Sequence, residues 1–190
     1  MSKGRMEAFS DGVIAILITI MVLELKVPQG TEVRALLPLL PIVLSYVLSF
    51  VFLGIYWNNH HHLLQAIKQV DGRVLWANLH LLFWLSLFPF VTAWAGENRF
   101  AAWPAALYGA VMLGAAIAYF ILTRALIALH GRDSVLAMAV GRDFKGKISV
   151  ALYITAIPIA FVHSWLSVAI YVAVAIIWLV PDRRIEKIIS

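Results

Sequence analysis

Residues 148–180 read ISVALYITAIPIAFVHSWLSVAIYVAVAIIWLV, an apolar block whose break is His163, Ser164 and Ser167 near its middle. A helix rises about 1.5 Å per residue, so one helix of this length would be roughly 50 Å long, against a bilayer core of about 30 Å. The block therefore folds back as a tight hairpin of two short spans, with the turn near His163 and Ser164. Working toward the N-terminus, the runs 101–129, 74–95, 38–62 and 6–26 each supply the ~20 apolar residues that a spanning helix needs. The expected fold is an all-α integral membrane protein, one domain over 1–190 with six transmembrane helices near 6–26, 38–62, 74–95, 101–129, 148–162 and 165–180. Pro158 is expected to bend the fifth span, since neighbouring helices can satisfy the freed carbonyl. Gly109 and Gly114 are expected to let the fourth approach its neighbours closely.

Composition points the same way. Of 190 residues 63% are hydrophobic and 13% charged, where a soluble domain has about half and a quarter. A small globular domain has too much surface to hide that excess as core. The absence of cysteine excludes disulfides, thiolate metal sites and cysteine nucleophiles. Acids precede the first run and no small-residue cleavage site follows it, so it reads as a retained helix and not a signal peptide.

A net charge of +5 would suggest nucleic acid if the basic residues formed a patch, but they lie in short loops between apolar runs. The N-terminus, the second and fourth loops and the C-terminus hold Lys3, Arg5, Lys68, Arg73, Arg124, Arg132, Arg142, Lys145, Lys147, Arg183, Arg184 and Lys187; the other side holds Lys26, Arg34 and Arg99. Twelve against three is a positive-inside pattern that places both termini in the cytoplasm, and five or seven spans would spoil it. A multi-pass protein of the cell membrane follows, with lipid and not nucleic acid as its partner. No internal duplication is visible: the first three spans carry the polar residues, the last three are plain Ala/Val/Ile/Leu.

Polar groups inside a bilayer are costly, so each is a functional candidate. The first span opens Arg5-Met6-Glu7-Ala8-Phe9-Ser10-Asp11-Gly12. Asp11, a turn and a half past Arg5, can partner it on one helix or across helices; alternatively Ser10 or Asp11 merely caps a helix start. Trp57, His60, His61, His62, Asn78 and His80 reach the same membrane side on the second and third spans, so a hydrogen-bonded cluster tying the three together is natural. Three successive histidines point about 100° apart and cannot converge on one ion, so a structural or pH-sensitive role is preferred to a metal site. Farther along, Ile16, Thr19, Ile20 and Leu23 fall at i, i+3, i+4 and i+7, one helix face. Spacing by itself leaves lipid contact, packing and a pore wall all open.

The string Arg5-x-x-x-Phe9-Ser10-Asp11 resembles the signature of the lysosomal potassium-channel family that lacks the usual TVGYG filter. Trp57-x-x-His60-His61, Asn78-Leu79 and Leu87-Phe88-Pro89-Phe90-x-Thr92 resemble its motifs on the second and third helices. The likeness covers the first three spans in order; the last three match in number and hydrophobicity only. The resemblance is to the single-repeat prokaryotic kind, which implies a homotetramer in a plasma membrane with the first helix lining a central pore. It further implies Ile16 as the narrowest ring, Thr19 and Leu23 above it and Ile20 as a further pore-facing position. Arg5, Ser10, Asp11, Trp57, His60 or His61, and Asn78 would form the polar network behind the pore.

The implied function is a potassium-selective cation channel with a hydrophobic constriction, the permeant K+ being its only cofactor-like species. An isoleucine ring has no oxygen ligands, so an ion keeps most of its water there and the ring can gate by dewetting. Weakly hydrated monovalent cations then pass more easily than sodium, with Thr19 hydroxyls supplementing the shell and Glu24 near the outer mouth discouraging anions. A proton-coupled transporter is the competing reading, suggested by Asp11 and the histidines, although inverted repeats should echo the polar helices in both halves. A haem protein using His60, His61 or His80 is the third. No nucleophile–base set stands out, so an enzyme is not expected.

Overall fold

The computed structural model describes residues 2–179 apart from Arg132 and Arg142. Of the residues that set the charge bias, Arg132, Arg142, Arg183, Arg184 and Lys187 lie outside the described residues, as does Val180 at the end of the last expected span.

Helix α1 spans Lys3–Met21 and is prolonged by a 3₁₀ turn at Val22–Glu24. Because it begins at Lys3, Ser10 and Asp11 lie well inside it and cap nothing. A 3₁₀ stretch at Val33–Leu39 leads into α2, Leu40–Gln65, with Pro41 at its first turn, where a missing N–H costs little. Asp71 starts α3, Gly72–Ser86, by accepting the Val74 amide at 2.8 Å.

The expected third span is divided: α3 ends at Ser86, and α4 runs Phe88–Glu97 after a break at Leu87. Pro89 is the cause. It has no N–H for the Leu85 carbonyl, and its ring crowds that carbonyl, so the ladder cannot run through. Helix α5, Ala102–His130, is stopped by Gly131 at φ 90°. A six-residue helix α6, Val135–Val140, which the apolar pattern does not announce, sits in the following loop. Helix α7, Phe144–Ile159, starts on the Asp143 carboxylate, which accepts the Gly146 amide at 3.1 Å. Pro158 stands one residue from the end of α7, so the N–H it lacks frees the Ile154 carbonyl in the last turn of that helix. Turn residues 160–163 then lead into α8, Ser164–Leu179.

Among the described residues four segments, Lys3–Glu24, Val33–Gln65, Gly72–Glu97 and Ala102–His130, are long and apolar enough to cross a membrane. Helices α7 and α8 have 16 residues each, roughly 24 Å, a little under the usual span length.

Helix α5 is the hub, packed chiefly on α3 and α7, while α2 lies along α4 and α1 rests across α2, α3 and α4. A Cβ on Gly114 would run into the Trp84 ring, and one on Gly109 into the Tyr171 hydroxyl, so both contacts need glycine. Between the helices a second polar chain is buried: the Ser49 hydroxyl bonds Thr92 at 2.6 Å and Tyr108 at 2.9 Å, tying α2 to α4 and α5.

Candidate functional site

Helix α1 has two unlike faces. Met6, Ser10, Ile14, Leu17 and Met21 recur every three or four residues and are buried against the other helices. Opposite them Arg5, Phe9, Gly12, Ile16, Thr19, Ile20 and Leu23 form a continuous exposed stripe. Ile16 is 56% exposed and Leu23 77%. A single chain leaves these apolar side chains with nothing packed on them. The Thr19 hydroxyl donates back to Ala15 O at 3.0 Å and Ile16 O at 2.9 Å, leaving its oxygen lone pairs outward as acceptors.

Behind the stripe, α1 is bolted to α2 and α3 through a line of hydrogen bonds whose directions are fixed. The Ser10 hydroxyl donates to Met6 O at 2.8 Å, so it can only accept from Asn78 Nδ2, at 2.9 Å. That turns the Asn78 carbonyl toward His60 Nε2, 2.7 Å away, and an acceptor there makes Nε2 the protonated nitrogen. His60 Nδ1 is buried and has no partner among the described residues. Ser10 and His60 are wholly buried and Asn78 nearly so, so these bonds work in a low dielectric where an unmade one is costly.

On the flank of the same helix, Glu7 and Asp11 stand four residues apart and meet Trp57 and His61, also four apart on α2. Trp57 Nε1 donates to Asp11 Oδ1 at 3.0 Å, and His61 Nδ1 lies 3.3 Å from Glu7 Oε1. The His61 ring is stacked on Trp57, centroids 6.1 Å apart, with its other nitrogen 2.8 Å from Gln65 Nε2. The ambiguity over which histidine joins the network thus resolves into two roles: His60 faces Asn78, His61 faces Glu7.

Three expected members stand apart. Arg5 is exposed and has no ion pair or side-chain hydrogen bond among the described residues; of the two pairings with Asp11 that the sequence left open, the one within the helix is not made. Six residues at about 100° each put the two side chains some 120° apart around the helix, on different faces. His62 lies half-buried outside the line, and His80 turns outward to accept from Trp84 Nε1 at 3.0 Å. Two useful residues escaped the sequence reading. Glu7 was legible in principle, from matching i, i+4 pairs on the first two spans. Ser49 was not, because nothing local links it to Thr92 and Tyr108.

A family model described as the endosomal/lysosomal potassium channel TMEM175 matches residues 5–89, the segment that holds both faces of α1 and its partners on α2 and α3. A protein named potassium channel, from Chryseobacterium sp. (strain P1-3), is 54% identical over 98% of this chain and 97% of its own length. The chain belongs to the TMEM175 family of potassium channels. Another protein named potassium channel, from Chamaesiphon minutus (strain ATCC 27169 / PCC 6605), is 34% identical over 91% of each chain. The fold is similar to the crystal structure of a lysosomal potassium-selective channel TMEM175 homologue from Chamaesiphon minutus, with a TM-score of 0.82 and 32% identity over 95% of this chain and 97% of that one. With bacterial relatives named potassium channel matching along nearly their whole length and four segments of spanning length among the described residues, the chain is a multi-pass protein of the plasma membrane.

Proposed function

We propose that this TMEM175 chain forms a homotetrameric, potassium-over-sodium selective channel in which four copies of α1 surround the conduction axis. Each chain crosses the membrane six times, through α1, α2, the broken pair α3–α4, α5, α7 and α8, with both termini cytoplasmic. Ile16, Thr19, Ile20 and Leu23 line the pore, and Ile16 forms its narrowest ring. The observation that carries this reading is the exposed apolar stripe on a helix whose opposite face is core. This stripe lies in the segment that the family model matches, and a pore wall built from one helix per chain requires closed symmetry.

The chemistry follows from the side chains. Four isoleucines provide no ligand to replace an ion's water, so passage favours the cation that holds its shell less tightly, and K+ is the substrate. No bound cofactor is needed. Arg5 lies at the cytoplasmic end of the same stripe, where four unpaired guanidinium groups would repel cations. In the tetramer each therefore pairs with an acid of a neighbouring chain, and Glu7 and Asp11 are the acids at that depth. The alternatives fare worse. A proton-coupled transporter needs its acids free to load and unload, whereas Asp11 and Glu7 are held by Trp57 and His61. Haem needs imidazoles facing a cavity, and His60, His61 and His80 are bonded to Asn78, Glu7 and Trp84.

Flux in proteoliposomes under a potassium gradient, with sodium and chloride gradients as controls, tests the reading, alongside a detergent-corrected mass. Potassium flux exceeding sodium flux from a species of four chains is the expected outcome. Full activity from a species of one chain would overturn it.

A further inference from the structure

Away from the α1 stripe, a cavity of about 320 Å³ lies between α2, α5, α7 and α8. Its wall is largely aromatic: Phe52 and Tyr56 from α2, Tyr119 and Phe120 from α5, Tyr153 from α7 and Trp178 from α8. Several of the wall's polar groups are engaged elsewhere. Tyr119 donates to Asn59 O at 3.2 Å, and Trp178 Nε1 donates to Ser149 Oγ at 2.8 Å. What faces the space is therefore mainly hydrocarbon and ring surface, which water fills poorly.

One end of the cavity is different. Lys147 and Asp143, in the first turn of α7 and just before it, stand at its rim. The Asp143 carboxylate is engaged by the Gly146 amide. Lys147 is exposed and has no carboxylate partner among the described residues. Lys145, two residues before it, lies over the Trp178 ring at 6.0 Å. By the charge rule the α5–α7 loop is cytoplasmic. An apolar slot, a tyrosine and tryptophan belt and a basic rim together match the headgroup level of the inner leaflet, where anionic lipids gather.

We propose that this cavity is a binding site for an anionic phospholipid of the inner leaflet, with an acyl chain between α2 and α5 and the phosphate at Lys147. The site rests on the orientation of the chain in the membrane and is independent of which ion the pore conducts. Ala116 lines the slot and Lys147 the rim, so the two halves of the ligand can be tested separately.

The experiment is native mass spectrometry of the detergent-solubilised protein titrated with phosphatidylglycerol or phosphatidylcholine. Wild type should retain phosphatidylglycerol preferentially. Lys147→Gln should cut that preference about fivefold, the effect of one lysine near an anionic headgroup, while retaining phosphatidylcholine as wild type does. Ala116→Phe should reduce retention of both lipids by filling the slot; Ile117→Trp, at the same wall, serves if that variant does not fold. Unchanged retention in the folded slot variant, or an unchanged lipid preference in Lys147→Gln, would overturn the proposal. So would an altered oligomer mass in the folded slot variant, which would assign the cavity to a neighbouring copy.

Discussion

Replacing Asn78 with leucine tests the bolt that holds the first helix. The two side chains are similar in length, so the change removes polarity more than volume. Asn78 bridges His60 at 2.7 Å and Ser10 at 2.9 Å and is almost wholly buried. Leucine leaves His60 Nε2 buried without an acceptor, and Nδ1 already has no partner among the described residues, so the imidazole loses its last hydrogen bond to them. An orphaned buried group costs about 1–3 kcal/mol. Ser10 suffers less, because its hydroxyl still donates to Met6 O; interhelical bonds of this kind in membranes average about 0.6 kcal/mol. The sum is roughly 1.5–3.5 kcal/mol. The assay is unfolding in bicelles with Asn98→Leu as control, since Asn98 is exposed and its side chain donates to Trp94 O, four residues back. The decisive comparison is His60→Phe combined with Asn78→Leu, which removes both polar partners and should recover most of the loss, because matched apolar replacement of a bonded pair is nearly neutral. Additive losses in the double variant, or no loss in Asn78→Leu alone, would refute the reasoning.

In the proposed tetramer, Ile16→Asn would place four amides at the constriction and lower its dewetting barrier; proteoliposome flux should rise and potassium preference weaken, with Leu25→Asn doing much less. Unchanged flux and selectivity in folded tetramers would remove α1 as the pore wall. Gly114→Leu drives a side chain into the Trp84 ring and should cost about 1–3 kcal/mol or more by overpacking, read as a lowered melting temperature that Trp84→Ala partly restores. On the opposite membrane side from the network, the hydrogen bond and charge of Glu97 raise the Lys26 pKa above the ordinary lysine value. A raised folded-state value means that the contribution is complete below the ordinary pKa and fades only as pH climbs through the raised one. Both groups are solvent-exposed and screened. The melting difference between wild type and Lys26→Met should therefore be small and flat from neutral pH to about pH 10, and one that opened up at pH 8 would contradict it.

Sequence by itself determined the solvent and the family. Apolar runs of spanning length need no tertiary information, because lipid demands that each helix satisfy its own backbone bonds. The Phe9-Ser10-Asp11 signature and the i, i+3, i+4, i+7 pattern of Ile16, Thr19, Ile20 and Leu23 are likewise local. Which side of α1 is left bare was decided only by packing: Ile14 and Ile16 are the same residue type, yet one is buried and the other exposed. The pairing of polar residues belongs to tertiary structure for the same reason. Asn78 can serve Ser10 and His60 only where three helices cross, whereas the separation of Arg5 from Asp11 already follows from helical spacing. Pro89 marks the limit between the two. Its missing N–H is written in the chain, but that the span breaks at Leu87 and still continues as α4 depends on α2 and α5, against which α4 is packed.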